Sequence, residues 1–567
     1  MIIQKLENFV TDITNNLGYK VDNMRVIISN RPDLCDYQCD DVFKLAKEFK
    51  QNPIDIGTKI VDSIINSDEF NNLFEKVEFI KPGFINMTLS STFINECLYK
   101  MINTEYFALP RPNRVETFVL DYGGPNVAKP LHVGHMRTAI VGESLKRIIK
   151  YMGHNTIADV HLGDYGLQIG QVIYGVKRDN KSIEEIDIEY LDEIYPEMSS
   201  LCKENEDIKE ECAEITRLLQ DGNEEYKTLW KKICEVSSQD ILKIYKYLDV
   251  SFDLWLGESD AYPFIPKVEE IFNKKGLIKI SDGAAIIEVG KDTDKKEIPP
   301  LLFQKSNGAY LYATTDLATV LDRMKNLQPD HILYITDNRQ DLHFEQVFRA
   351  SDLSSIAPYS MFEHLGYGTV NGADGKPYKT RSGDSPKLEN LFIQAKEILI
   401  EKKETNSEMN EEDVDKIVNA ILKFADLQNN RERDYIFDIS KFSETVGKTG
   451  PYILYTYLRT QKIIVETEKN INNFTSNIYN NYDRDLRLKL LELPIAFKNA
   501  YDYRMPHYIA DYIYDVCVLA NAFYQNNHIN GLDDNTKKND WMLVLSLTCD
   551  IIKEMLSLLV IDIPTEM

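Results

Sequence analysis

His132 and His135 stand three residues apart around Gly134, with Lys129 and Pro130 just upstream, in the string AKPLHVGHMR. At the start of a helix that spacing puts both imidazoles on one face. Unpaired helix N–H groups and the positive end of the helix dipole point the same way. Gly134 has no Cβ, so a flat ring or a phosphate can come close to the backbone. Two imidazoles, a lysine and helix N–H groups suit a nucleoside triphosphate under attack at its α-phosphorus. They stabilise the charge that grows on the non-bridging oxygens. The competing reading is two histidines that happen to share an exposed helix. Histidine is scarce, 9 in 567 residues, so the pair does not follow from abundance.

The flanking sequence supplies the elements such a site needs. Thr117 to Tyr122 is a β-branched and aromatic run short enough for a buried strand. Gly123, Gly124 and Pro125 turn the chain. Ile140, Ser144, Leu145, Ile148 and Ile149 recur at helical spacing, which predicts a helix from His132 or Val133 to Gly153. Thr156 to Val160 then begins a second strand. This is a βαβ unit, and such units bind nucleotides where a strand turns into a helix N-terminus.

Further along, FQKSNGAYLYATTDLATVL predicts a strand around Tyr310 and Tyr312 and a helix from Thr315 or Asp316. By local pattern alone Asp316 is a helix N-cap. The strand DHILYIT leads into NRQDLHFEQ, and GKPYKTRSGDSPKLENL at 375–391 is a Gly-flanked basic segment. Without further information that segment is a surface hairpin.

Bulk composition sets limits. The chain is 43% apolar and 27% charged, ordinary for a soluble globular protein of several domains. No apolar run approaches the ~18 residues a membrane span needs, and the N-terminus lacks a signal-peptide pattern. Eight scattered cysteines without CxxC spacing read as reduced thiols of a cytoplasmic protein, with no zinc or other protein-held metal site. Net charge is −25, which argues against a generally sticky nucleic-acid binder. The stretch 181–230 carries 16 acidic against 5 basic residues and reads as solvated helices.

HVGH at 132–135 resembles the signature histidine motif of class I aminoacyl-tRNA synthetases. DYGGPNVAKPLHVGHMR followed by GDYGLQIG is similar to the arginyl members in particular, and similar segments run from DYQC at 36–39 to Met567. The resemblance implies an α/β fold: a Rossmann-like parallel-sheet catalytic domain with an N-terminal α/β accessory domain and a C-terminal α-helical bundle. The expected divisions are 1–107, a tRNA-contacting accessory domain; 108–390, the catalytic domain with a helical insertion about 183–248; 391–440, a helical bridging and stem-contact segment; and 441–567, a helical anticodon-binding domain. Arg431 and Arg433 in the bridge are read as solvated. The family's last residues reach the anticodon region, and here they are IDIPTEM.

The same resemblance implies roles. His132, His135 and Lys129, with Lys379 and Arg381 from the basic segment, would act on the phosphates of ATP. Pro130, Gly134 and Lys376 would line the nucleotide. The family's KMSKS string is missing, so Lys129 would supply charge that the loop lacks. Asp121, Asn126, Tyr312, Asp316 and Gln340 would hold L-arginine. A guanidinium is a planar, always-charged fork of donors, so in-plane carboxylates are its natural acceptors. Tyr452, Tyr455 and Arg459 would meet tRNA(Arg) by stacking. Mg²⁺ would ride on the phosphates without a protein cage. A monomer that needs tRNA present for adenylate formation is expected. The rivals are a class I synthetase for another amino acid, which would lack the five-residue arginine set, and a tRNA-binding scaffold that has lost activity.

Overall fold

In a computed structural model, described over residues 2–372, 374–376, 387–402, 409–465, 474–529 and 531–567, Thr117–Tyr122 forms strand β1, Val133–Met152 helix α1 and Asn155–Asp159 strand β2. This is the βαβ unit expected from the sequence. His132 is the N-cap of α1, and Gly153 stops it with a φ of +113°, a left-handed cap that glycine adopts without strain. Two later strands, β3 (His331–Ile335) and β4 (Phe362–His364), complete a parallel sheet in the order β4-β3-β1-β2. The order reverses at β1, with β2 on one side and β3 on the other. Such sheets bind ligands in the crevice beyond the carboxyl ends at that point.

Both faces of the sheet are buried. Phe118, Leu120 and Tyr122 join one apolar core with α1, while Val119 joins a second with Leu317, Ala318 and Val320 of helix α2 (Tyr312–Asn326). Tyr334, Asp121 and Asp159 are register partners across β3, β1 and β2. Register partners share a face, and Asp121 shares Val119's face by alternation. A row of three polar side chains therefore faces α2 at the carboxyl end of the sheet.

Helix α2 begins at Tyr312, earlier than the sequence suggested, with Leu311 as N-cap; Tyr310 makes only a bridge to Gln304. Ala313, Leu317 and Val320 bury one stripe against the second core, and that packing draws the helix back to Tyr312. Asp316 therefore sits one turn inside a helix. It is neither the N-cap nor a residue at a strand end.

The N-terminal part holds an antiparallel sheet in the order Val26–Ile28, Tyr37–Cys39, Phe84–Leu89, Phe74–Ile80. It docks on the C-terminal helices. Arg484 Nη2 donates to Asp36 Oδ2 at 2.6 Å and to the Leu89 carbonyl at 2.9 Å, and Arg487 Nη1 donates to Asn95 Oδ1 at 2.6 Å. Helices Ile188–Glu204, Glu206–Gln220 and Glu224–Tyr247 pack beside Leu167–Arg178, the next helix after β2. The C-terminal region is helical: Gly450–Val465, Asn481–Leu490, Leu493–Asp502, His507–Asn526 and Asn535–Leu558. Among the described residues, no helix is long and apolar enough to cross a membrane.

Close contact of α1 with β1 depends on Gly142. A Cβ there would lie 2.2 Å from Cγ of Tyr122. Alanine is the better helix former by about 1 kcal/mol, but forcing a methyl into a filled core costs about 1–3 kcal/mol. Gly142→Ala is therefore expected to lower the thermal midpoint of the catalytic domain. A raised midpoint in calorimetry would contradict this packing.

Candidate active site

The two histidines cap their own helix. His132 Nδ1 accepts from the Gly134 N–H at 3.1 Å, and His135 Nδ1 accepts from the His132 N–H at 3.1 Å. This is a capping box built from imidazoles. The rings stack with centroids 3.9 Å apart. A ring nitrogen that accepts does not carry the proton, so each neutral ring bears its hydrogen on Nε2. Burial, aided by the Lys129 charge, pushes His132 down to about 4. Burial, with His132 and Lys129 nearby, holds His135 well below the usual imidazole range. The helix head thus presents two neutral Nε2–H donors, with the Lys129 charge near enough to depress both rings. Gly134 also has a local reason to be glycine: a Cβ would sit 3.0 Å from Cε1 of His132.

A cavity of about 550 Å³ opens over these rings and the carboxyl ends of β1 and β3. His132, Gly134, His135, Asp121, Asp316 and Gln340 line it, so the structure brings these expected residues together. Lys129, Pro130, Asn126, Tyr312 and Lys376 are not on its lining. Asn126 bridges to Gly163, where a Cβ would lie 2.1 Å from its Oδ1. Tyr312 is exposed at the head of α2, and Lys376 is exposed past the turn at Gly372. Lys379 and Arg381 lie outside the described residues. The flanks of their segment are anchored at the site: Thr369 and Val370 line the cavity, Lys387 bridges to His132, and the Leu388 N–H donates to the Leu131 carbonyl at 2.9 Å.

The acids of the cavity carry built-in cations that the sequence did not reveal. Arg323 Nη2 donates to Asp121 Oδ2 at 2.6 Å and to Asp159 Oδ2 at 2.8 Å. His161 Nδ1 lies 3.6 Å from Asp159 Oδ2, an ionic contact, and His161 Nε2 is 3.4 Å from the Thr319 hydroxyl. Although burial opposes its charge, the facing carboxylates raise His161 to about 9. His343 Nε2 meets Asp316 Oδ2 at 2.5 Å, and that bond raises His343 against the effect of burial. Burial pushes Glu258 up to about 7, with Asp164 and Asp316 adding to it and His161 opposing. One pattern in the sequence points to part of this set. Tyr312, Asp316, Thr319 and Arg323 follow one another at helical spacing and make a polar stripe on one face of α2. Asp121, Asp159 and His161 lie close enough to ligate a metal ion, but the Arg323 guanidinium already takes both carboxylates.

In the C-terminal helices, Tyr455 is 46% exposed. Tyr452 is half-buried, with its hydroxyl accepting from Asn521 Nδ2 at 3.1 Å, and the Arg459 guanidinium lies 4.6 Å from the centre of the Tyr524 ring. Arg431 is buried rather than solvated: it donates to the Gly366 carbonyl and ties the bridging segment to the end of the sheet. Arg433 is exposed. Thr565, in the final segment, donates from its backbone N–H to Asp413 Oδ1 at 2.8 Å, so that segment is docked on the helix Glu411–Leu427.

Comparisons with known proteins follow the same outline. Residues 101–439 match the family described as tRNA synthetases class I (R), catalytic domain. Residues 1–89 match the arginyl tRNA synthetase N terminal domain, and 453–567 the DALR anticodon binding domain. The chain is 38% identical to proteins named arginine--tRNA ligase from Alkaliphilus oremlandii and Agathobacter rectalis, covering all of this chain and all of each relative. Among solved structures it resembles arginyl-tRNA synthetase from Plasmodium falciparum, with a TM-score of 0.83, 26% identity, and 100% and 99% of the two chains covered. The Thermus thermophilus arginyl-tRNA synthetase shares the fold over the full length of both chains, with a TM-score of 0.81 at 19% identity.

The capping role of His132 can be tested by itself. His132→Ala removes the cap and is expected to cost about 1 kcal/mol of stability. His132→Asn keeps an acceptor for the Gly134 N–H and should retain most of that stability, while lacking the imidazole. Parallel denaturation of the two variants checks this; equal losses would mean that the cap contributes nothing.

Proposed function

The chain belongs to the arginyl-tRNA synthetase family, and we propose that its cavity joins L-arginine to the α-phosphate of ATP and then charges tRNA(Arg). The arginine carboxylate attacks the α-phosphorus, the bond to the bridging oxygen breaks, and pyrophosphate leaves. The 2′-hydroxyl of the terminal adenosine then attacks the arginyl carbonyl and AMP leaves. The observation that carries this reading is the single cavity with phosphate-directed donors, His132 and His135, at one end and guanidinium-directed acceptors, Asp121, Asp316 and Gln340, lining it too.

Each group has a defined task. The two Nε2–H groups donate to non-bridging oxygens of the α-phosphate as charge builds there, and Lys129 adds a full positive charge. Lys379 and Arg381, with Lys376, would act on the remaining phosphates; the anchoring of Lys387 and Leu388 beside His132 supports that reading. Mg²⁺ would supply further charge on the phosphates. Asp121, Asp159 and Asp316 are already held by Arg323 and His343, so its ligands would be phosphate oxygens and water. Asp121, Asp316 and Gln340 accept from the guanidinium, and Glu258, close to Asp316, adds a further carboxylate. Asn126 and Tyr312 would approach the ligand from the rim. Tyr455, open on the helix Gly450–Val465, would stack an unpaired base, with Tyr452 and Arg459 supporting it. Eight free cysteines suit the reducing cytoplasm.

Pyrophosphate exchange with each amino acid, with and without tRNA, tests the function. Exchange with arginine supports it, exchange with another amino acid refutes the specificity, and none under either condition points to an inactive scaffold. Asp316→Ala is expected to raise KM for arginine roughly 100-fold or more, the cost of leaving one charge unpaired, with KM for ATP nearly unchanged. Equal damage to both would make Asp316 a structural partner of His343 only.

Glu258 sets a pH dependence. A carboxyl raised to about 7 is part-protonated at neutral pH, and a bound guanidinium favours its ionised form. KM for arginine should therefore fall as pH rises from about 6 to 8, and Glu258→Gln should flatten that slope. A KM–pH profile unchanged by Glu258→Gln would remove it from recognition.

A further inference from the structure

Arg323 takes no part in the chemistry above, yet its placement is unusual. Its side chain is 1% exposed, and Nη2 alone bridges two carboxylates, Asp121 and Asp159. Its Nε and Nη1 are buried without hydrogen-bond partners, and the guanidinium carbon lies 5.5 Å from the centre of the Tyr334 ring. An arginine placed for stability alone would satisfy more of its five donors, since unpaired buried N–H groups are costly. Here the donors are sacrificed and the acids are served.

The geometry fixes which oxygens are served. Arg323 holds Asp121 by Oδ2, and Oδ1 has no hydrogen bond among the described residues, although Asp121 lines the cavity. A carboxylate has two oxygens and room for a guanidinium on each. We propose that Arg323 is a positioning residue for arginine recognition: it clamps one oxygen of Asp121 so that the other is presented to the substrate guanidinium. Arg323 touches no substrate in this scheme and acts through Asp121. Asp159 anchors the clamp from β2, and the face of Tyr334 limits its tilt from β3. The same helix carries Asp316 seven residues earlier, so one rigid element sets both acceptors. The proposal rests on the reading that Asp121 binds arginine.

The experiment is a double-mutant cycle in the full-length enzyme, with aminoacylation kinetics for arginine and for ATP and with ATP binding as a check on folding. The variants are Asp121→Asn, Arg323→Met, Arg323→Lys and the Arg323→Met/Asp121→Asn pair. Arg323→Met is expected to raise KM for arginine roughly 100-fold while KM for ATP stays within about threefold. Arg323→Lys, which keeps the charge but not the fork, should recover about tenfold of that. The pair should be no worse than Asp121→Asn alone, because Arg323 has nothing left to position. Additive losses, or equal losses in both KM values, overturn the proposal. Should Arg323→Met not fold, Arg323→Lys decides: a rise in KM for arginine alone supports the proposal, and no rise or an equal rise for ATP overturns it. If Asp121→Asn leaves KM for arginine unchanged, the parent reading fails; if Asp121→Asn raises it and Arg323→Met does not, the clamp alone fails.

Discussion

A guanidinium and two carboxylates buried at the end of a parallel sheet are tolerable only as a set. Each ion alone would cost several kcal/mol to desolvate. The strand register leaves no freedom to separate the acids, because Asp121 and Asp159 are partners on adjacent strands and face the same helix. Without Arg323 between them they would be like charges side by side, and one would be forced to take up a proton. With it, burial raises Asp121 while the Arg323 charge opposes that rise. The requirement propagates. Arg323 must stand over the row, which fixes the rotation of α2 about its axis, and that rotation carries Asp316 to the cavity two turns earlier.

The head of α1 obeys a similar constraint. A helix that starts at a ligand site leaves N–H groups without partners. An aspartate would satisfy them but, when ionised, offers no donor. The imidazoles of His132 and His135 satisfy backbone N–H groups with one nitrogen and keep a donor on the other. The cap fixes the tautomer, and the cavity receives hydrogen-bond donors whose orientation is set before any ligand arrives. Lys129, outside the lining, is near enough for its charge to help hold both rings neutral.

How far the residues disclose this differs from element to element. β1, α1 and β2 were legible almost to the residue, because Gly153, the β-branched run at 117–122 and the apolar spacing of α1 are local signals. The start of α2 was not, because packing of Ala313 and Leu317 on the second core outweighs the local cap signal at Asp316. His132, His135, Asp121, Asp316 and Gln340 stand in one cavity as the motif resemblance implied. No local signal in the sequence shows that Arg323, Asp159 and His161 meet. Their meeting depends on which strands are neighbours, and residues 121, 159 and 323 are far apart in the chain. Arg431 looked solvated for the same reason: the Gly366 carbonyl that it serves is not near it in sequence.

α1 is also the member to which the remote parts of the chain are fastened. At its first turn are the histidines. One turn later Arg137, 1% exposed, donates to the Arg431 carbonyl at 3.2 Å and to the Gly368 carbonyl, with its Nε 3.4 Å from Asp426. Further along, Ser144 donates to the Leu558 carbonyl at 2.7 Å and Arg147 to the Ser557 carbonyl at 2.9 Å, at the end of the last helix of the C-terminal region. Lys423, fully buried and pushed down to about 7 by its burial, donates to the next turn of that tail, the Val560 carbonyl, at 2.6 Å. A well-packed interior passes displacement on rather than absorbing it. Movement of the C-terminal helices when they engage a partner must either break these buried bonds or carry α1 with it, and α1 ends in the two rings that face the cavity.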